Sequence, residues 1–148
     1  MKKLSMVFAV VALFATTSAF ANKGVEVSKE VKTAFQKSFS GAENVTWDVV
    51  EDFYFASFVL NGKTVDAAYN EKGELLGVSR KLQLSEIPMN VSQSIKLSYE
   101  GYEISNNVTE IDLGGETLYY ATVSGKTKIL KLKCLSNGEI FVVNKIKK

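Results

Sequence analysis

The segment FYFASFVLNGKTVDAAYN, residues 53–70, consists of two strand-like runs on either side of Asn61-Gly62. A two-residue type I′ turn needs a positive φ at both central residues, which asparagine and glycine tolerate well. With such a turn, Phe58 lies opposite Val65 on one face of the hairpin. The same register pairs Ala56 with Ala67 and Tyr54 with Tyr69. The segment therefore predicts an antiparallel hairpin with one apolar face and a more mixed opposite face.

A helix and two further strands are predicted around this hairpin. Val31 and Phe35 belong to an apolar stripe at helical spacing, and Ser28 before them is a suitable N-cap. The stripe ends at Phe39, and Gly41 follows as a helix stop. Strand-like alternation then covers residues 44–50, 53–60, 63–70 and 74–82.

The second half of the chain reads as a divergent copy of the first. Sliding residues 53–78 by 65 positions places Tyr54 on Tyr119 and Gly73 on Gly138. The same shift aligns Ala56 with Ala121, Lys63 with Lys128, Glu74 with Glu139 and Val78 with Val143. Pro88 fits the first turn of a second helix, where its missing N–H costs nothing. Strand-like runs follow at 102–113, 116–124, 127–135 and 139–146.

These patterns predict an α+β fold, built as a tandem repeat of a helix followed by a four-stranded antiparallel meander, with the helices packed on one face of the sheet. The first repeat covers residues 22–84 and the second covers residues 85–148. In the turn at Gly125-Lys126 the glycine comes two positions before residue 127, where the shift by 65 would place Gly62, so the second hairpin has either a shorter loop or a slipped register. Gly77 interrupts the fourth strand and indicates a bulge or an edge position.

Residues 1–21 have the features of a signal peptide. Lys2 and Lys3 precede an apolar run at 4–15, and Ala19-Phe20-Ala21 is a small-x-small cleavage site. The apolar run is too short for a membrane anchor, which needs about 20 residues. We therefore expect a periplasmic or secreted protein of a Gram-negative bacterium, whose contact with the membrane is limited to the cleaved signal peptide.

The charge balance argues against a nucleic-acid partner. Removal of Lys2 and Lys3 reduces the 18 basic residues to 16, against 16 acidic residues, so the mature chain is formally neutral. Nucleic-acid binders normally carry a concentrated positive field. Lysines are enriched after residue 126, which is typical of a solvated surface, with a docking site for an anionic partner as the alternative.

The residues needed for common catalytic and metal sites are missing. The chain has no histidine, which excludes Ser-His-Asp and Cys-His catalysis as well as zinc sites built from cysteine and histidine. Cys134, the single cysteine, lies on a predicted apolar strand face and is expected to be a buried hydrophobe. Glu51-Asp52 and Glu71 fall in predicted turns, where acids are ordinary. We expect no enzyme activity, no cofactor and no metal.

A recognition surface is the remaining possibility. If the helices cover one sheet face, the opposite face exposes Phe53, Phe55 and Tyr120, which aromatic-centred interfaces would use. Charged side chains flank these aromatics: Asp66, Lys131 and Lys133. The alternative is that this face packs against the other copy or against a dimer partner.

A series of motifs resembles a known family. They are Phe35-x-x-x-Phe39-x-Gly41-Ala42-x-Asn44-Val45-x-Trp47, Tyr54-x-Ala56-x-Phe58, Asn61-Gly62-Lys63, Val65-x-Ala67-x-Tyr69-Asn70-x-x-Gly73 and Leu84-x-x-Ile87-Pro88. Their order and spacing are similar to the PepSY-like, β-lactamase-inhibitor-like periplasmic proteins of Bacteroidetes. The resemblance implies helix-plus-sheet units with one open sheet face, and it carries over no catalytic residue. Ile87 replaces the usual leucine before proline, and the second copy is richer in lysine than the family.

The residues and the resemblance together lead to one main expectation. We expect a non-enzymatic exported binding protein that recognises a protein or peptide through its open sheet face. Two alternatives are an inhibitor of an envelope hydrolase, either a protease or a β-lactamase, and an envelope sensor of small molecules or ions. The sequence identifies neither the partner nor the oligomeric state.

Overall fold

The structure, a computed structural model, describes residues 26–148, so the expected signal peptide lies outside the described residues. The chain divides into two compact units, which we call unit 1, ending at Arg80, and unit 2, Lys81–Lys148. The elements are α1 (Lys29–Ser38), β1 (Glu43–Val50), β2 (Phe53–Leu60), β3 (Lys63–Asn70), β4 (Leu75–Gln83), α2 (Met89–Ser98), β5 (Glu103–Ile104), β6 (Asn107–Asp112), β7 (Thr117–Ser124), β8 (Lys128–Leu135) and β9 (Ile140–Lys147). The predicted α+β class is confirmed. That the two units are copies of one repeat stays a prediction.

The central hairpin of unit 1 has the predicted turn and register. Asn61 and Gly62 have φ values of 51° and 75°, as a type I′ turn requires. Phe58 pairs with Val65, and β1 and β4 extend the antiparallel sheet in the order β1-β2-β3-β4. The local turn chemistry was therefore sufficient to set which side chains share a face.

Helix α1 packs its apolar stripe on this sheet. The Ser28 hydroxyl accepts a hydrogen bond from the Val31 N–H at 3.3 Å, which confirms the predicted N-cap. Val31 and Phe35 are buried against the face that carries Phe58, and the Phe35 and Phe58 rings meet edge to face with centroids 5.0 Å apart. Further core residues of unit 1 are Val27, Ala56, Val65, Ala67 and Tyr69.

Two glycines shape the end of this sheet. Gly73 follows β3 with φ 76°, and a Cβ on it would lie 2.9 Å from the carbonyl oxygen of Glu30 in α1. The turn between β3 and β4 can therefore approach the helix only because residue 73 lacks a side chain. Gly77 pairs with Ala68 beside a register shift, which confirms the predicted bulge.

The first strand of unit 2 differs from its prediction. The sequence indicated one strand over 102–113, whereas the structure has the short strand β5 followed by β6, both paired with β7. Ile104 pairs with Val123 and Thr109 pairs with Tyr120, so the segment from β5 to β6 advances five residues while β7 advances three. The two extra residues interrupt the regular ladder: the hydroxyl of Ser105 accepts the N–H of Asn107, and the carbonyl of Asn106 accepts the N–H of Leu84.

The hairpin of β7 and β8 keeps the register of its counterpart in unit 1. Val123 pairs with Leu130, which is the Phe58–Val65 pairing shifted by 65 positions. A slipped register is therefore excluded. The glycine at 125 has a packing reason of its own, since a Cβ there would lie 2.7 Å from Cε1 of the Tyr102 ring.

The core of unit 2 lies between α2 and one face of β6–β9. Val91 and Ile95 of α2 are fully buried with Leu132 and Cys134 of β8. Burial raises the pKa of the Cys134 thiol to about 11, so it remains protonated at neutral pH. The prediction that Cys134 is a buried hydrophobe is confirmed. Neither helix in the described part of the chain is long and apolar enough to cross a membrane.

Candidate functional site

Strand alternation in unit 1 places Phe55 on the face opposite α1. Asp48, Phe55, Ala68 and Gly77 form one row across the four strands. Phe55 is only 6% exposed, so the expectation of an exposed aromatic at this position is wrong. The neighbours of Phe55 along this row on β3 and β4, Ala68 and Gly77, are small residues. In unit 1 this face therefore has a buried aromatic floor.

Phe53 and Asp66 occupy neighbouring rows of the same face. Phe53 is half-buried and pairs with Asn70. Asp66 is also half-buried, and its Oδ1 accepts a hydrogen bond from the Ser57 hydroxyl. This hydrogen bond from its cross-strand neighbour on β2 holds the Asp66 carboxylate in place. On its other side Asp66 pairs with Ser79 of β4, which is buried.

In unit 2 the face opposite α2 carries a row of aromatic and cationic side chains. Tyr120 of β7 pairs with Lys133 of β8, which in turn pairs with Phe141 of β9. The Lys133 Nζ lies 5.7 Å from the centroid of the Phe141 ring, which is within the range of a cation–π interaction. Phe141 is 49% exposed and Lys133 is half-buried, so both side chains are partly accessible to solvent.

Lys131 completes this surface, which we call the unit 2 patch: Tyr120, Lys131, Lys133 and Phe141. Lys131 is exposed, pairs with Thr122 and lies on the same face two positions before Lys133. Burial, and then the negative charge of Glu116, raises the pKa of Tyr120. The Tyr120 phenol therefore stays protonated at neutral pH and can donate a hydrogen bond.

The sequence prediction of site residues missed Phe141. It lies in the predicted strand 139–146, one position from Ile140 and so on the opposite face. That parity could have identified it, because Ile140 packs against the unit 2 core. The strand is also unusually apolar for an outer strand: Val142, Val143 and Ile146 are exposed together with Phe141.

The six predicted site residues are divided between the two units. Phe53, Phe55 and Asp66 lie in unit 1, whereas Tyr120, Lys131 and Lys133 lie in unit 2. Within residues 26–148, no group of three or more acidic or cysteine side chains is placed to hold a metal ion. Glu51, Asp52 and Glu71 are exposed in turns. The chemistry that these two surfaces offer is apolar contact, hydrogen bonding and positive charge.

Comparison with known proteins finds solved structures with this architecture. No protein-family model and no curated protein matches the sequence. A DUF2874 family protein from Bacteroides uniformis matches 82% of this chain and 90% of its own, with a TM-score of 0.71 and 19% identity. A BLIP-like protein from Bacteroides fragilis matches 83% of this chain and 87% of its own, with a TM-score of 0.70 and 17% identity. The chain shares their fold.

A third solved structure extends the comparison. It is a presumed periplasmic protein from Bacteroides eggerthii, with a TM-score of 0.70 and 18% identity, covering 83% of this chain and 90% of its own. The resemblance to β-lactamase-inhibitor-like Bacteroidetes proteins, predicted from the order of short motifs, is therefore confirmed at the level of the fold. At these identities, the fold is what the likeness establishes.

Proposed function

We propose that this chain is a non-enzymatic exported binding protein that recognises a protein or peptide through the sheet faces opposite its helices. The observation that carries the proposal is the row of Tyr120, Lys133 and Phe141 across three adjacent strands. Interfaces concentrate binding energy in aromatic and cationic side chains of this kind. A half-exposed phenylalanine beside an ammonium group and a hydrogen-bonding phenol gives a partner three distinct chemical contacts within one row.

The export part of the proposal rests on two observations. Residues 1–21 have the charge, length and cleavage pattern of a signal peptide. A protein of the same fold from Bacteroides eggerthii is described as a presumed periplasmic protein. We therefore propose the periplasm, or the exterior of a Gram-negative cell, as the place where the partner is met.

We also propose that residues 22–84 and 85–148 are divergent repeats. The Phe58–Val65 and Val123–Leu130 pairings differ by the same 65 positions. Gly73 and Gly138 also differ by 65 positions, and each lies against the helix of its own unit: a Cβ would be 2.9 Å from the Glu30 carbonyl oxygen at Gly73 and 2.8 Å from the Ser94 hydroxyl oxygen at Gly138. Two copies would present two sheet faces of similar geometry with different side chains, since the shift by 65 positions aligns Phe53 with Leu118 and Asp66 with Lys131.

The proposal is tested by site-specific photo-crosslinking. A benzophenone amino acid at position 120 or 141 is expected to capture a specific envelope protein or peptide, identified by mass spectrometry after crosslinking in intact cells. Position 97 is the matched control, because Leu97 is 81% exposed on α2 and away from the proposed face. Equal capture at 97 and 141, or no capture at 120 and 141, would overturn the placement of the surface.

A second candidate is an inhibitor of an envelope hydrolase. It is supported by the shared fold with a BLIP-like protein from Bacteroides fragilis. The test is a panel of periplasmic proteases and β-lactamases assayed with excess purified protein. Inhibition that is lost in a Tyr120→Ser, Phe141→Ser variant would favour this candidate, whereas full activity of every enzyme in the panel would remove it.

A further inference from the structure

A cleft of about 500 Å³ opens in unit 1 between helix α1 and the outer strand β1. Its floor is aromatic: the rings of Phe35 and Trp47 meet edge to face with centroids 5.2 Å apart, and the Phe39 ring lies 5.6 Å from Phe35. Val45 of β1 and Lys32 of α1 stand at its opposite walls. The cleft is thus an apolar recess with a cationic side chain on the helix wall.

The strand wall of this cleft is a sheet edge. Within residues 26–148, β1 pairs with β2 and lies at the end of the strand order. After a bulge near Asn44, whose φ is 54°, the pairing from Thr46 to Val50 is uninterrupted. Alternate backbone N–H and C=O groups of such an edge strand point away from its neighbour and remain available for another strand.

We call this cleft and the adjoining edge of β1 the trough, and Lys32 gives its helix side one positive charge. Lys29, Lys32 and the neutral Gln36 recur at three- and four-residue steps, which places them along one side of α1. Lys32 also borders a second cleft, of about 620 Å³, lined by Lys29 and Tyr54. Among the described residues, no acidic side chain forms an ion pair with Lys32, although Glu26 lines the second cleft. The trough therefore combines an apolar recess, an open edge and an available ammonium group.

We propose that this trough binds an extended peptide segment, which adds a strand to the edge of β1. One bulky apolar side chain of the peptide enters the recess formed by Phe35, Phe39 and Trp47. A carboxylate side chain of the peptide faces Lys32. Side chains on one face of a strand are spaced by about 6.6 Å, so an apolar and an acidic residue two positions apart suit the recess and the adjoining ammonium group.

The trough is a different surface from the sheet faces of the proposed function, and binding at the two surfaces can be tested separately. Val45 and Trp47 lie on the helix side of β1, whereas Asp48 and Val50 lie on the opposite side. Variants of the unit 2 patch, such as Phe141→Ser, should leave peptide binding in the trough unchanged. Failure of either proposal can therefore be recognised without the other.

Trp47 supplies a direct readout, because it is the only tryptophan in the chain. The probes are blocked synthetic peptides of about seven residues that alternate valine and threonine around a central phenylalanine or leucine. The residue two positions after the centre is glutamate, glutamine or lysine. We expect a saturable change of Trp47 emission with the glutamate peptides, about fivefold weaker binding with glutamine, and the weakest binding with lysine. No saturable change with any glutamate peptide overturns the proposal.

Two matched pairs of variants locate the site. Lys32→Glu should reverse the preference between the glutamate and lysine peptides, whereas Lys37→Glu, on the same helix but outside the cleft, should not. Val45→Lys should abolish binding, whereas Val50→Lys should not, although the two valines are 36% and 40% exposed on the same strand. Urea unfolding of each variant separates loss of binding from loss of the fold. Equal effects within either pair would contradict the site.

Discussion

Gly73 lies so close to the first turn of helix α1 that a Cβ on it would be 2.9 Å from the carbonyl oxygen of Glu30. Gly73 also has a φ of 76°, which disfavours any residue with a side chain. We expect Gly73→Ala to lower the free energy of unfolding by about 3 kcal/mol, from the positive φ and from displacement of backbone that cannot yield cheaply. Urea unfolding followed by circular dichroism measures the loss.

Gly62→Ala is the control for this prediction. Gly62 has nearly the same φ, 75°, but a Cβ there would meet no atom within 4 Å. Its replacement should therefore cost only the backbone term, about 1 kcal/mol. Equal losses for the two variants would show that the close approach to Glu30 contributes nothing to stability.

The parts of the fold that the sequence predicted depend on local chemistry. The turn at Asn61-Gly62 fixed the pairing of Phe58 with Val65, because positive φ values at two adjacent positions leave few alternatives. Ser28 as N-cap is a similar case, since its hydroxyl meets an N–H of the same helix. In both cases the interacting groups are close in sequence.

The parts that were missed depend on residues distant in sequence. Phe55 is buried where alternation alone predicted exposure, because alternation assigns a side chain to a face of the sheet and carries no information about what covers that face. The interruption between β5 and β6 likewise follows from the pairing of both with β7. The trough between Phe39 and Val45 required the packing of a helix against a sheet edge, which no local pattern specifies.

Tyr102 and Gly125 form a contact that should couple energetically. A Cβ at residue 125 would lie 2.7 Å from Cε1 of the Tyr102 ring, and that ring packs edge to face against Tyr99. Gly125→Ala should therefore destabilise the protein by about 1–2 kcal/mol, and by clearly less in a Tyr102→Ala background. Gly41→Ala, whose nearest neighbour would be Leu60 Cδ1 at 3.7 Å, should be close to neutral. Additive effects of Gly125→Ala and Tyr102→Ala on the free energy of unfolding would argue against this contact.

The buried thiol of Cys134 predicts a dependence of stability on alkaline pH. Burial raises its pKa from 9.0 to about 11, so the unfolded chain loses this proton at a lower pH than the folded chain does. The contribution of Cys134 is therefore complete below pH 9 and is lost as the pH rises from about 9 through 11, by about 3 kcal/mol in total. Cys134→Ala should show a shallower decline over this range in urea titrations, after subtraction of its constant packing loss.

The same burial predicts slow reaction of the thiol. Iodoacetamide reacts with the thiolate, whose fraction at pH 8 is small when the pKa is near 11. Alkylation of the native protein should be far slower than that of the urea-unfolded protein, by mass spectrometry. Equal rates in the two states would indicate that Cys134 is accessible in the folded protein.

Lys133 and Phe141 predict a measurable pairwise interaction within the proposed binding surface. The Nζ atom lies 5.7 Å from the ring centroid at a partly exposed site, where a cation–π contact contributes about 0.5–1 kcal/mol. A double-mutant cycle with Lys133→Met and Phe141→Leu should recover a coupling of that size in the free energy of unfolding.

Lys131→Met is the control, because Lys131 lies on the same strand and face but pairs with Asn144 rather than with Phe141. If Lys131 couples to Phe141 as strongly as Lys133 does, the interaction is a general effect of positive charge. A coupling confined to Lys133 would instead show that the free protein already holds this ring and ammonium group together, so that a partner meets an organised pair.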